Sequence, residues 1–240
     1  MTLADFDALS FDCYGTLIDW EAGMLAVLAP WAKEHHLDVD DESLLAAYAA
    51  HETQAERELP SALYPDIVGS SFRALGEQLG TFVSQHDAQR LAVSVPTWPA
   101  FEDSHDALVE LGARYQMIVL SNVDRASFAG SNRRLDVRFD EILTAQDVGS
   151  YKPSPRNFAV LLETARAMGI AEGRLLHVAQ SLFHDHVPAQ AAGLSTVWIN
   201  RRHARGGWGA TPAPLAEVTP NWEFPSLAAF AWAVAMDNAG

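Results

Sequence analysis

A short apolar run, Ala8-Leu9-Ser10-Phe11, ends abruptly in the polar turn Asp12-Cys13-Tyr14-Gly15-Thr16. The run reads as a β-strand, so Asp12 is expected at its carboxyl end, the edge of an α/β sheet where sites are usually built. Gly15 permits a tight turn that a Cβ would hinder, and the Thr16 hydroxyl can hydrogen-bond within it. A carboxylate so placed is a candidate nucleophile, although taken alone it could equally cap a strand-to-helix connection. It is not alone. Ser121-Asn122 follows the run Arg114–Leu120, Tyr151-Lys152-Pro153 comes next, and Leu176-His177-Val178 leads into Gln180-Ser181-Leu182-Phe183-His184-Asp185.

The elements that must hold these clusters are legible from periodicity. Up to Trp98-Pro99, apolar residues recur every three or four positions over Ala22–Glu34, Glu42–Glu58, Asp66–Leu79 and Asp87–Val95, which predicts a helical bundle. After Pro99 the pattern alternates. Helices are expected over Ser104–Leu111, Asp124–Leu135, Pro155–Met168 and His186–Ala192, and strands over Tyr115–Leu120, Phe139–Leu143, Leu175–Val178 and Ser195–Ile199. Such alternation implies an α/β fold with a doubly wound parallel sheet. The first strand belongs to that sheet, so the helical segment is an insertion. The expected division is an α/β core of residues 1–17 and 97–240, with an inserted helical bundle at 18–96. The Gly- and Arg-rich stretch 200–209 reads as a mobile flap after the fifth strand, either a solvated loop or a subunit interface, and within reach of a substrate.

With 240 residues, 49% of them hydrophobic, the chain can bury a large core and suits one domain with a substantial insertion or two modest domains. Its net charge of −15 repels phosphate backbones and anionic membrane surfaces, so neither nucleic acid nor a membrane is an expected partner. No basic N-terminal segment precedes an apolar stretch, and no apolar run approaches the roughly 20 residues that span a bilayer, which points to a soluble cytoplasmic protein. The single cysteine, Cys13, rules out an internal disulfide and a Cys-rich metal site, and beside Asp12 on a strand it should point into the core. Only Lys33 and Lys152 are lysines, and the second falls in one of the polar clusters.

In this order the four clusters resemble the motifs of the haloacid dehalogenase superfamily, over nearly the whole chain. The resemblance implies a core of that type with a helical cap emerging just after the first motif and closing over a pocket at the strand ends. It also implies roles. Asp12 would be the nucleophile that forms an aspartyl ester, and Lys152 would stand beside it and keep it ionised. Thr16 would support the Asp12 turn, Ser121 and Asn122 would donate to the ester carbonyl and a substrate carboxylate, and Asp185 would anchor Lys152 and help activate the hydrolytic water. Tyr14, Trp20, Asn122, Gln180, Ser181 and His184 are the expected substrate-binding residues.

Phosphatases of the superfamily carry a second Asp two residues after the nucleophile, where this chain has Tyr14, and an Asp for Mg²⁺ where it has Gln180. Both differences resemble the 2-haloacid dehalogenase branch, whose halide leaves without a proton, and imply chemistry without a metal or cofactor. His184 and His186 flank Asp185, but no further ligand cluster accompanies them.

Two departures qualify the match. Leu44 to Glu56 contains no Arg to grip a substrate carboxylate, and Phe158 stands where a Tyr is usual. The later motifs, Tyr-Lys-Pro-Ser-Pro and Ser-Leu-Phe-His-Asp-His, look closer to an offshoot that includes L-azetidine-2-carboxylate hydrolase, in which a ring nitrogen leaves and the pocket must favour a cation, as Glu52 and Glu56 would.

The expected function is therefore metal-independent hydrolysis of a small 2-substituted carboxylic acid, most simply a 2-haloacid. Azetidine ring opening, a Mg²⁺-dependent phosphatase and a non-catalytic binding domain are the alternatives. A small carboxylic acid is the expected partner, and the acidic cap could support a homodimer.

Overall fold

Ala8–Phe11 forms β1 at the centre of a parallel sheet. It pairs with β2 (Gln116–Ser121) on one side and β4 (Leu175–Ala179) on the other, with Phe11 opposite both Val119 and Val178. The computed structural model describes residues 1–214 and 216–237. Among these, β3 (Glu141–Thr144), β5 (Ser195–Ile199) and β6 (Trp222–Phe224) complete a six-stranded sheet in the order β3-β2-β1-β4-β5-β6.

Successive side chains of each strand serve opposite faces. Leu9, Phe11, Val119 and Val178 pack with α5 (Ser104–Gly112), α6 (Arg125–Leu135) and α10 (Leu227–Asp237), while Ala8, Ile118, Leu120 and Leu175 pack with α8 (Pro155–Ala167) and α9 (Val187–Ala191). Burial on both faces is why the central strands read as unbroken apolar runs. The doubly wound α/β expectation is the observed fold. The strand order runs outward from β1 in opposite directions, to β2 and β3 on one side and to β4, β5 and β6 on the other, and this switch point opens a crevice at the carboxyl ends of β1 and β4.

Four helices lie between β1 and α5: α1 (Trp20–Glu34), α2 (Asp41–Glu58), α3 (Tyr64–Gln78) and α4 (Gln85–Ser94), with α2 on α3, α3 on α4, and α1 against both α2 and α4. The chain leaves and re-enters the sheet layer side by side. Ile18 bridges Ala100 in antiparallel fashion, the Asp19 N–H donates to the Pro99 carbonyl at 2.8 Å and the Phe101 N–H to the Leu17 carbonyl at 3.1 Å. Helix α1 starts two residues before the expected position because the Asp19 carboxylate caps it, accepting from the Ala22 N–H. Gly23 lets α1 lie directly on Trp98, since a Cβ there would fall 2.2 Å from the indole.

Several elements differ from expectation. The helix expected from His186 is preceded by a π-helical turn over Leu182–His186, closed by the His186 N–H donating to the Ser181 carbonyl at 3.3 Å, so Asp185 sits inside a helical turn rather than ahead of it. Strand β6 and helices α7 (Ala145–Val148) and α10 have no counterpart in the periodicity: β6 and α7 are too short, and α10 is apolar on nearly every side. The flap after β5 is anchored at residues 201 and 202 rather than free, as described below. Cys13 is buried with a free thiol that burial pushes up, in keeping with a core role. Among the described residues no helix is long and apolar enough to cross a membrane.

Candidate active site

Asp12 follows the last residue of β1, held by its N–H to the Val178 carbonyl at 3.1 Å. One carboxylate oxygen accepts from the Thr16 hydroxyl at 2.6 Å, the other from Lys152 Nζ at 2.9 Å. Thr16 is itself fixed, because its oxygen accepts the Gln180 N–H at 2.9 Å. Gly15, at φ +91°, makes this turn possible: a side chain there would meet Gln180 Oε1 and Trp20 Nε1 at 3.1 and 3.2 Å.

Lys152, 1% exposed, spends all three protons, on Asp12, on the Leu120 carbonyl at 2.9 Å and on Asp185 Oδ1 at 2.7 Å. Asn122 holds its backbone: Oδ1 accepts the Lys152 N–H at 2.6 Å and Nδ2 donates to the Lys152 carbonyl at 3.0 Å. Burial alone would lower the Lys152 ammonium, but the Asp12 and Asp185 carboxylates override it and raise it. The two carboxylates divide this one cation unequally. Despite burial, Asp185 is held well below the usual range by Lys152 together with His177, whereas burial pushes Asp12 upward against the pull of Lys152 and Thr16. Asp12 is thus the less stabilised anion, as suits a nucleophile.

His177 and Ser10 were not singled out in the sequence. They face each other across β1 and β4, with Ser10 Oγ 2.9 Å from His177 Nδ1 and His177 Nε2 3.0 Å from Asp185 Oδ1. The network assigns Nε2 as the donor to Asp185 and Nδ1 as the acceptor from Ser10. Asp185 Oδ2 and the Ser121 hydroxyl, at the end of β2, are buried without a partner.

Asp12, Lys152 and Asp185 face a cavity of about 40 Å³ whose wall includes Tyr14, Trp20, Asn122, Ser181, His184 and Thr211. The Tyr14 hydroxyl is committed to Ser131 Oγ at 2.6 Å, so its ring is what it offers. His184, taken down to about 4 by burial, is a neutral imidazole; Nδ1 lies 3.2 Å from Ser181 Oγ and buried Nε2 has no partner. His186 turns the other way, to the Ala179 carbonyl at 2.9 Å, so the two histidines form no pair.

Helix α2 adds Glu52 and Glu56 to this wall. Burial raises both, Glu52 to about 7 and Glu56 well above its ordinary value. The Tyr64 hydroxyl donates to Glu52 at 2.9 Å, and Asn122 Nδ2 reaches the Glu56 oxygens at 3.2 and 3.4 Å. Their placement was implicit in the spacing Leu44, Tyr48, Glu52, Glu56, in which every fourth residue faces inward.

Gln180 is placed differently from its neighbours in sequence. Its side chain accepts from the Thr211 hydroxyl at 3.1 Å and lines a separate recess of about 150 Å³ with Arg201, Arg202 and Arg205. Arg201 donates to the Thr16 carbonyl at 2.7 Å and to Asp103 at 2.8 Å. Arg202, 8% exposed, pairs with Glu21 of α1 and Glu42 of α2, and the Ala210 N–H also donates to Glu21 at 2.9 Å. The flap therefore straps the inserted helices to the sheet and carries Thr211 into the cavity wall.

The donor set does not suit a divalent cation. Asp12 and Asp185 share the Lys152 ammonium and Gln180 is turned to Thr211; among the described residues no cluster of three or more His, Cys, Asp or Glu is arranged to hold a metal.

The profile of the haloacid dehalogenase-like hydrolase family matches residues 9–199. Similar solved structures include the L-2-haloacid dehalogenase from Xanthobacter autotrophicus with chloropropionic acid covalently bound, at 17% identity and TM-score 0.76, covering 96% of this chain and 98% of that one. A defluorinating L-2-haloacid dehalogenase aligns at 21% identity and TM-score 0.74, covering 96% and 95%. The putative hydrolase YfnB from Bacillus subtilis, bound to magnesium, aligns at 18% and 0.74, covering 96% and 99%. At these identities the likeness is one of fold. No curated protein sequence matches the chain. Because the family profile spans most of the sequence, from β1 through β5, the chain belongs to the haloacid dehalogenase-like hydrolases.

Proposed function

We propose that the enzyme hydrolyses the bond between C2 and its substituent in a small carboxylic acid, without a metal, through an ester on Asp12. The observation that carries this reading is the nucleophile itself: a buried carboxylate with one oxygen fixed by Thr16 and the other by Lys152, facing a cavity that admits only a small molecule. Attack forms the C–O bond as the substituent leaves with its electron pair. Water, activated through the partnerless Oδ2 of Asp185, then cleaves the ester. The Ser121 hydroxyl and His184 Nε2 are the free donors for substrate oxygens. A halide fits most simply, because it leaves without a proton and Tyr14 stands where a phosphatase keeps its acid. The helical layer, residues 18–96, is read as a cap that opens to admit substrate.

A second reading draws on one observation: no Arg lines the cavity, whereas Glu52 and Glu56 do. Such a wall suits a cationic group, as in opening the ring C–N bond of azetidine-2-carboxylate.

The test is turnover of 2-chloropropionate, L-azetidine-2-carboxylate and an aryl phosphate, each with EDTA and with Mg²⁺. Hydrolysis of one of the two carboxylic acids in EDTA is expected, and a single turnover in heavy-oxygen water should label the Asp12 carboxylate. Label confined to product would exclude the ester, and activity on the phosphate that returns only with Mg²⁺ would replace this reading with a phosphatase.

A further inference from the structure

Among the described residues four carboxylates line the cavity, Asp12, Glu52, Glu56 and Asp185, against one ammonium, Lys152. Lys152 is fully engaged by Asp12 and Asp185 at 2.9 and 2.7 Å. Glu52 and Glu56 remain, at i and i+4 on the buried face of α2, a spacing that puts their Cβ atoms about 5–6 Å apart. Two charges at that separation repel by roughly 3 kcal/mol at an effective dielectric of about 20, before the cost of burying either. Repulsion and burial together favour one shared proton over two charges on the pair.

The surroundings say which residue carries it. Glu52 accepts the Tyr64 hydroxyl at 2.9 Å, which favours its anion. Glu56 has only Asn122 Nδ2, at 3.2 and 3.4 Å, and that amide also serves the Lys152 carbonyl at 3.0 Å. The groups facing Glu56 are Glu52 and Arg57 on α2, Asn122 after β2, and Tyr151 and Lys152 before α8; Arg57 is exposed and makes no ion pair with it. Burial and the Glu52 charge push Glu56 upward and outweigh the downward pull of Lys152 and of the Asn122 hydrogen bond. Different environments thus divide two like residues into an anion and an acid.

We propose that Glu56 is a carboxylic acid in the resting enzyme and is the proton donor facing the leaving group; this rests on the Asp12-ester reading above. As an Asp12 oxygen bonds to C2, the electron pair of the breaking bond goes to the leaving atom. The Glu56 O–H hydrogen-bonds to a departing halide and stays protonated; to a neutral ring nitrogen it transfers its proton. Water then attacks the ester carbonyl and splits it into the Asp12 carboxylate, the 2-hydroxy acid and one proton. That proton restores Glu56 in the nitrogen case and is released in the halide case.

Infrared difference spectra of the whole enzyme at pH 7, prepared with and without carboxyl-¹³C glutamate, read the protonation without turnover. A carboxylic-acid carbonyl band that shifts with the label and is missing from Glu56→Gln is expected, and its absence from the wild type overturns the proposal. Single-turnover formation of the Asp12 ester, with 2-chloropropionate and L-azetidine-2-carboxylate as probes, is the second readout. The wild-type rate should fall as pH rises through the titration of the pair. Glu56→Gln still donates an N–H but does not titrate, so it should lose that limb, and with the azetidine probe it should slow at least about tenfold. An ester that forms with the same pH limb in both proteins overturns the proposal and leaves the function reading intact. No Asp12 ester with either probe removes that reading, and Glu56's role toward a leaving group with it, even where the acid band is present.

Discussion

Lys152 places three hydrogen bonds from one nitrogen onto acceptors that belong to three different segments, the ends of β1 and β2 and the π-helical turn. A compact ammonium can do this; a planar guanidinium is larger and presents its donors in a fixed fork. Lys152→Arg should therefore fold but lose on the order of 100-fold or more in kcat, checked by turnover alongside circular dichroism. Near-wild-type turnover would show that charge alone suffices. Lys152→Met should be worse for the fold, because stranding the buried carboxylates costs roughly 3–5 kcal/mol. Asp12, Thr16, Lys152 and Asp185 could be singled out in the sequence because they fall in polar clusters whose order resembles the family's motifs, and the structure brings them into contact. Ser10 and His177 were not. They lie inside such runs, and only the register of β1 on β4 brings them together. Asn122, expected to meet substrate, lines the cavity while its amide also engages Lys152 and Glu56.

Among the elements, α1 shows how the inserted layer is fitted to the sheet layer. Replacing Gly by Ala inside a helix normally stabilises it by about 1 kcal/mol. At Gly23 the new methyl would sit 2.2 Å from Trp98, and overpacking of this kind costs about 1–3 kcal/mol. The clash should win, because Trp98 is buried next to the bridge between Ile18 and Ala100 and has little room to yield. Gly23→Ala is expected to lower the melting temperature by several degrees; an unchanged or higher value would show that the two layers slide freely at this contact. The strands of the sheet were readable because burial on both faces imposes apolar runs. The π-helical turn was not, since one additional residue in a polar loop leaves no periodic trace.

For the whole molecule, buried carboxylates make stability depend on pH in two opposed ways. Asp185 is depressed in the folded protein, so its contribution is present above the ordinary carboxylate range and is lost as pH falls through and below it. Glu52 is raised from about 4.5 to about 7, so between those values the folded protein binds more protons than the unfolded chain and stability declines as pH rises. That shift corresponds to about 3 kcal/mol. The melting temperature should be higher near pH 5 than near pH 8, and Glu52→Gln should shrink the difference. A difference of the same size in the variant would assign it to Glu56, which burial also raises, or to the overall charge of −15.

The strap built on Arg202 bears on how readily the cap proposed above would open. Its guanidinium pairs with Glu21 of α1 and Glu42 of α2, so parting the inserted layer from the sheet layer would break both ion pairs. Dissolved salt screens such contacts. Where escape of product limits the cycle, added NaCl should speed steady-state turnover of the wild type and leave Arg202→Met unaffected, whereas equal salt dependence in both proteins would place the slow step elsewhere.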